Sequence, residues 1–193
     1  MGTRDVILDA AAAMMAEHGL ANVTTRQIAR AAGFTEAALY KHFANKAELI
    51  VAVIRERSAG AGELMAALDL EPGTGDLAER LAQVARAAIG FYRTGFPMLA
   101  SMFADPATFA AHKDELRAQG MGPHKLNEAL AAYLRAEQRH GRVRPDVDAD
   151  AAAGLLLGAC FQHAFLGHMD SPGHRDGDAD AAPFVHALIA GLG

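Results

Sequence analysis

The sequence has few of the residues that mark secreted, metal-binding or β-rich proteins. Its 193 residues include one cysteine and no tryptophan. Cys160 therefore has no internal disulfide partner, which fits a reducing compartment. The N-terminus lacks the basic start and apolar centre of a secretion signal, and we see no apolar run of membrane-spanning length. We expect a soluble, cytoplasmic protein with no membrane partner.

Alternating apolar and polar residues, the pattern of a half-buried strand, are also missing. Apolar residues make up 51% of the chain, and they recur with a spacing close to the turn of an α-helix. The chain is long enough to form a small domain and a larger one, each with its own core. We predict an all-α protein.

An overall positive charge, which is common in nucleic-acid-binding proteins, is absent, because the net charge is −5. The charges are divided unevenly along the chain. Residues 1–57 contain seven Lys or Arg and six Asp or Glu (+1), whereas residues 58–193 contain eleven and seventeen (−6). Any affinity for DNA must then come from a few well-placed cations, doubled by dimerisation, and must fall with salt.

The stretch from residue 24 to residue 49 contains the start and stop signals of three short helices. Thr24 and Gln27 have the spacing of a capping box, and Gly33 can adopt the left-handed conformation that ends a helix. Thr35 and Asn45 are good N-caps for the next two helices. Small residues at the corner allow the first two helices to cross closely, so the stretch predicts a helix-turn-helix.

This stretch resembles the DNA-binding domain of the tetracycline-repressor (TetR) family. The matching pieces are Thr25-Arg-Gln-Ile-Ala-Arg-Ala-Ala-Gly33, then Leu39-Tyr40-x-His42-Phe43, and finally Lys46 and Leu49. The resemblance implies a three-helix DNA-binding domain, which we place at residues 1–47. It implies a helical domain for effector binding and dimerisation at residues 48–193, and a homodimer whose two heads read a near-palindromic operator.

The resemblance and the exposed positions of the third helix select eight candidate DNA contacts. Lys41 can donate to guanine, and the methyl group of Ala37 can pack on thymine. Glu36 can accept from cytosine or can simply stabilise the start of its helix, which we favour. Lys46 opposes the dipole of the fourth helix, which a phosphate partner would explain. The full set is Thr25, Thr35, Glu36, Ala37, Tyr40, Lys41, His42 and Lys46.

The remaining helices are predicted from apolar spacing and from glycine and proline breaks. The fourth helix is expected to continue to about Leu68, and Gly95-Phe-Pro97 is expected to separate two helices. The eighth helix, at residues 149–168, is apolar nearly all round and needs cover on both sides. It precedes a loop at residues 170–180 and a last amphipathic helix.

The resemblance implies that the last two helices pair with their copies in a dimer, and the alternative is that they close the core of one monomer. The candidate interface residues are Gly154, Leu155, Gly158, Phe184 and Leu188. A C-terminal domain of this kind also encloses an apolar pocket, although each candidate residue can equally be ordinary core. The candidate pocket residues are Phe91, Tyr92, Phe96, Met98, Met102, Phe103, Phe109, Tyr133, Phe161 and Phe165. They suggest a small apolar or aromatic effector.

No metal, cofactor or catalytic site is predicted. His163 and His168 lack the spacing of helical metal ligands, and Cys160 has the apolar neighbours of an inert thiol. No nucleophile, phosphate loop or carboxylate pair has a supporting context, so an enzyme is not expected. The sequence predicts a DNA-binding transcriptional regulator, and a ligand-responsive repressor fits it best. An effector-independent architectural or partner-recruiting DNA-binding protein is the alternative.

Overall fold

The computed structural model describes residues 2–57, 60–103, 106–120, 122–169 and 181–192. The regular structure of these residues is ten α-helices and one 3₁₀ turn, with no strand, and the all-α prediction is confirmed. The helices are α1 (Thr3–His18), α2 (Thr25–Ala31), α3 (Glu36–Leu39), α4 (Lys46–Arg57), α5 (Ala61–Leu68), α6 (Leu77–Phe103), α7 (Pro106–Ala118), α8 (His124–Arg139), α9 (Ala149–His168) and α10 (Ala181–Leu192), and the 3₁₀ turn is Leu20–Asn22.

The chain forms two compact units. The head unit comprises Met1–Ala61 and Gly95–Gly122, and the body unit comprises Gly62–Thr94 and Pro123–Gly193. In the head unit α1 packs on α2 and α4, and α7 packs on α4. This packing division is not the division at residues 47 and 48 that the sequence suggested for function, and the functional boundary stays a prediction.

The head unit has its own apolar core and a set of ion pairs at its edge. Buried residues from α1, α2 and α4, among them Ile7, Ile28 and Ile50, form the core. Arg4 and Glu56 form a two-pronged pair, with Nη1 2.7 Å from Oε2 and Nη2 2.9 Å from Oε1. These hydrogen bonds raise the pKa of Arg4 above its ordinary value. They join the N-terminal end of α1 to the C-terminal end of α4.

The prediction of one helix from residue 46 to about residue 68 was wrong. α4 ends at Arg57 and α5 begins at Ala61. Gly60, just before α5, has a φ of 84°, a left-handed conformation that is incompatible with a continuing α-helix. Apolar spacing continues across this point, so it did not reveal the break.

The break predicted at Gly95-Phe-Pro97 was also wrong, because α6 runs continuously from Leu77 to Phe103. Proline has no N–H, so the carbonyl of Arg93, four residues before Pro97, loses its usual helical partner. The Nε2 of His168 lies 2.7 Å from this carbonyl oxygen. The α9 histidine thus replaces the hydrogen bond that Pro97 cannot make.

The body unit packs α9 against α8 and α10. Its core includes the fully buried Leu130, Leu134 and Cys160. α9 is long and apolar enough to span a membrane by length and composition, which corrects the expectation that the described chain has no such run. In this fold the helix contributes one face to the body core, and its other face is exposed.

A charged group lies inside the body unit. Glu137 is 0% exposed, and its Oε1 accepts a hydrogen bond from the Gly73 N–H at 3.1 Å. Its Oε2 lies 3.0 Å from Nε of Arg142. Burial, with Glu137 nearby, raises the pKa of Tyr133 to about 12. Glu137 therefore fastens the segment before α6 to the C-terminal end of α8.

Candidate nucleic-acid interface

The helix-turn-helix begins with a complete capping box. Thr24 Oγ1 accepts from the Gln27 N–H at 3.2 Å, and Gln27 Oε1 accepts from the Thr24 N–H at 2.8 Å. Gly33, with a φ of 78°, turns the chain after α2. Thr35 Oγ1 then accepts from the Ala38 N–H at 3.2 Å and starts α3. These predicted local signals are confirmed.

The α3 segment is shorter than its apolar pattern suggested, but it presents the predicted positions. Regular helix ends at Leu39 and a turn follows. Leu39 and Phe43 are buried and hold the segment on the head core. The other side of the segment is open to solvent, because its exposed residues are Thr35, Ala37, Tyr40, Lys41 and His42.

Three of the candidate DNA-contact residues are linked to one another by hydrogen bonds. The hydroxyl of Thr25 donates to Glu36 Oε1 at 2.6 Å, and the same oxygen lies 3.2 Å from the hydroxyl of Tyr40. Thr25 is only 7% exposed, and Glu36 is half-buried. The group ties the start of α2 to α3.

Lys46, at the start of α4, has an internal partner. Its Nζ donates to the carbonyl of Leu20 at 3.2 Å. The contact fastens α4 to the 3₁₀ turn that follows α1. This hydrogen bond is a structural reason for a lysine in the first turn of α4. The phosphate contact that the sequence suggested is a second reason and stays a prediction.

Two further basic residues were missed in the sequence reasoning. Arg26 and Arg30 are exposed and lie four residues apart on α2, so they share one side of the helix. Neither forms an ion pair with any residue that the structure describes. The i, i+4 spacing of two arginines in the first helix of the motif was the signal that could have found them.

The comparisons with known proteins agree with this geometry. The sequence model described as bacterial regulatory proteins of the tetR family matches residues 7–53. The chain is 26% identical over 193 residues to the HTH-type transcriptional regulator YvkB of Bacillus subtilis, covering 97% of this chain and 98% of that one. It is 46% identical over 52 residues to the HTH-type transcriptional repressor KstR2 of Mycobacterium tuberculosis, covering 27% and 26% of the two chains.

Residues 7–53 thus form a DNA-binding domain of the tetR family. A solved structure of the regulator FadR from Bacillus subtilis, in complex with stearoyl-CoA, has a TM-score of 0.69 at 17% identity and covers 98% of this chain and 99% of that one. This likeness shows that the two proteins share their fold. With this domain, and with its similarity to HTH-type regulators, the chain is a DNA-binding transcriptional regulator.

The candidate pocket residues fall into separate groups. Tyr92 lies in the body unit between Phe91, at 5.6 Å between ring centres, and Phe161, at 5.4 Å and nearly perpendicular. Burial raises the pKa of Tyr92 to about 12. In the head unit, Phe103 lies 4.8 Å from Phe109.

The remaining pocket candidates lie in both units. Tyr133 lies in the body core beside Glu137, Phe165 on α9 is 37% exposed, and Phe96 is half-buried in the head unit. The side chains of Met98 and Met102 lie outside the described residues. A single effector pocket built from the whole set stays a prediction.

The candidate dimer residues lie mostly on an open apolar surface. Leu155 is 69% exposed and Gly158 is exposed on α9. Phe184 and Leu188 of α10 are half-buried, and with Leu155 they line a groove of about 500 Å³. Gly154 is directed elsewhere, because a Cβ atom there would lie 3.9 Å from Nδ2 of Asn127 on α8.

Among the residues that the structure describes, no three His, Cys, Asp or Glu side chains are grouped to hold a metal ion. His163 packs its ring 5.7 Å from that of Phe184. Burial raises the pKa of Cys160 to about 12, so its thiol stays protonated near neutral pH.

Proposed function

We propose that the protein is a homodimeric repressor that binds a near-palindromic operator and releases it when a small apolar or aromatic effector binds. The observation that carries the DNA part of this proposal is the open side of the α3 segment. Its base-facing candidates, among them Lys41, are exposed, and the α2 arginines lie in the same unit. Base edges are read by such a segment, whereas neighbouring cations hold phosphates.

Dimerisation supplies the second head. Leu155, Phe184 and Leu188 line one apolar groove between α9 and α10, and we expect a second copy of the chain to cover it. The dimer would place two α3 segments on adjacent major-groove turns, about 34–36 Å apart. This arrangement explains how a chain with a net charge of −5 can bind DNA, because its few head cations act twice.

The effector is proposed to be apolar or aromatic. The packed Phe91, Tyr92 and Phe161 rings offer apolar contacts with one polar hydroxyl. FadR of Bacillus subtilis, which shares this fold, was solved with stearoyl-CoA, a molecule with a long apolar chain. The effector must bind more tightly to the conformation that does not fit the operator, since only a difference in affinity shifts the equilibrium. The protein would act in the cytoplasm, with the operator DNA.

The test is the binding of the purified protein to the DNA upstream of its own gene. Fluorescence anisotropy at two salt concentrations, with excess random duplex as competitor, should show binding that resists the competitor. A selection from random duplexes would supply the operator if it lies elsewhere. Equal affinity of the wild-type protein for selected and random duplexes would overturn the proposal.

Two variants separate the reading of bases from the holding of phosphates. Arg30→Ala should weaken binding to every duplex and reduce the salt slope by about 1. Lys41→Ala should also relax the preference at one base pair, by about 1–3 kcal/mol. Lys125→Ala, which removes an exposed lysine from the body unit, is the matched control and should change neither quantity.

A further inference from the structure

We infer that Glu36 competes with DNA phosphates for the hydroxyl protons of Thr25 and Tyr40, and so lowers the affinity of the head for every duplex. The inference rests on the proposed function, and on the resemblance to the TetR family, which implies that Thr25 and Tyr40 hold phosphates or line the groove. It assigns to Glu36 a role that is neither the reading of cytosine nor the stabilisation of its own helix start.

The geometry determines the direction of the hydrogen bonds. A threonine hydroxyl has a single proton. Thr25 gives this proton to Glu36 Oε1, at 2.6 Å, because a charged acceptor forms the stronger bond. The hydroxyl of Tyr40, 3.2 Å from Thr25 Oγ1, must then be the donor in that pair. Both protons are thus directed along one chain, from Tyr40 through Thr25 to the carboxylate of Glu36.

This chain opposes a phosphate contact in two ways. Phosphate oxygens only accept hydrogen bonds, whereas both hydroxyls in this arrangement have given their protons to internal acceptors. A phosphate can bind them only after a proton turns away from its internal partner. The carboxylate also places a negative charge at the beginning of the segment that must approach the DNA, and like charges brought together reduce affinity.

The two simpler roles for Glu36 fit the structure less well. The cap of α3 is already supplied by Thr35, whose Oγ1 accepts from the Ala38 N–H. The hydrogen-bond partner of the Glu36 carboxylate is Thr25, eleven residues away on another helix. A reader of cytosine must extend into the groove, but Glu36 is half-buried and directed towards α2.

The experiment compares Glu36→Gln with Asp114→Asn by fluorescence anisotropy on the selected operator and on random duplex. Both changes remove one negative charge from the head unit, and Asp114 is exposed on α7, which packs on α4. Glu36→Gln should bind both duplexes about three- to tenfold more tightly, by the same factor, since the competition acts on phosphates. Asp114→Asn should show a smaller gain.

Tyr40→Phe extends the comparison into a double-mutant cycle. In the wild-type background its effect should be small, because the hydroxyl proton is already engaged internally. In the Glu36→Gln background the loss should be larger, because a neutral amide oxygen holds the Thr25 proton less strongly than a carboxylate does. Thr25 can then donate to Tyr40, whose own proton becomes free for a phosphate. Thermal unfolding of each variant identifies any change that merely unfolds the head.

Two results would overturn the inference. One is a Glu36→Gln protein that gains no more affinity than Asp114→Asn. The other is weaker binding to the operator alone with a relaxed base preference, which is the signature of a cytosine reader. If the wild-type protein shows no preference for any selected duplex, the proposed function fails instead, so the two failures are distinguishable.

Discussion

The head and body units differ in the chemical groups that they expose to solvent. The head unit encloses an apolar core, with Phe34 and Phe103 left exposed, and joins its helix ends with partly exposed ion pairs such as Arg4–Glu56. The body unit buries the charge of Glu137 in its interior, yet leaves Leu155 69% exposed on α9. A unit that exposes hydrogen-bond donors is prepared for a polar partner, whereas one that exposes aliphatic side chains is prepared for an apolar partner. The difference supports DNA at the head and a second copy at the body.

The largest effect is expected from a charge placed on the open apolar surface of the body. Leu155→Glu should convert the proposed dimer to monomer, because a buried, unpaired carboxylate is strongly disfavoured at an apolar interface. Operator affinity should fall by about 10²-fold or more, since the two heads no longer bind together. Sedimentation and anisotropy measure the two quantities.

Met65→Glu is the matched control for this change. Met65 lies on α5 of the body unit and is 60% exposed. The same charge placed there should leave the dimer and its operator affinity unchanged. A Leu155→Glu protein that still sediments as a dimer would show that the second copy covers some other surface.

An intermediate effect, on the free energy of unfolding, is expected when the buried or the partly exposed ion pair is removed. Glu137→Ala should lower the free energy of unfolding by about 3–5 kcal/mol, because it removes the partners of Arg142 and of the Gly73 N–H inside the body. Glu56→Gln should cost about 1 kcal/mol or less, because the Arg4–Glu56 pair is partly exposed. Urea unfolding at low and high salt measures both costs.

Salt provides the internal check on this pair of variants. The cost of Glu56→Gln should shrink at high salt, since exposed charges are screened, whereas the cost of Glu137→Ala should persist. If both variants lost a similar free energy of unfolding with the same salt dependence, the ion pairs of the two units would not differ in kind.

The smallest effect concerns pH and the head unit. His112 on α7 is 5% exposed, and its Nδ1 has no hydrogen-bond partner among the described residues. Burial lowers the pKa of His112 below its ordinary value of 6.5. The unfolded chain therefore binds more protons in this range, and stability should fall as the pH decreases from above 6.5 towards the lowered pKa.

His112→Leu should flatten this part of the stability profile, because leucine binds no proton in either state. Urea unfolding at several pH values between about 7.5 and 5.5 tests the change. His18→Gln, at an exposed histidine of α1, should leave the slope unaltered. A wild-type profile without a slope in this range would mean that His112 is not held neutral by burial.

Local signals in the sequence predicted the helix-turn-helix well. The Thr24–Gln27 capping box, the turn at Gly33 and the N-cap at Thr35 each depend on residues within a few positions of one another. Gly19, which follows the last residue of α1, is a local stop signal of the same kind. Such features need no information from distant parts of the chain.

Apart from the helix break at Gly60, which has a local cause, the failures involve residues that are far apart in sequence. The break expected at Pro97 does not occur, because His168 takes the Arg93 carbonyl. The internal partner of Glu36 is Thr25 on the preceding helix. No spacing rule connects such pairs, so the sequence reasoning could weigh only each residue's own preference.

The sequence by itself determined the helical class and the helix-turn-helix of this protein, because caps, turns and apolar spacing act over one or two helical turns. Only the tertiary structure decided which donors and charges are engaged internally, as with Lys46 and Leu20 or Glu137 and Arg142. It also decided which apolar residues are buried and which, like Leu155, remain exposed. The physical reason is that hydrogen bonds and burial depend on distances in space, which folding sets between residues remote along the chain.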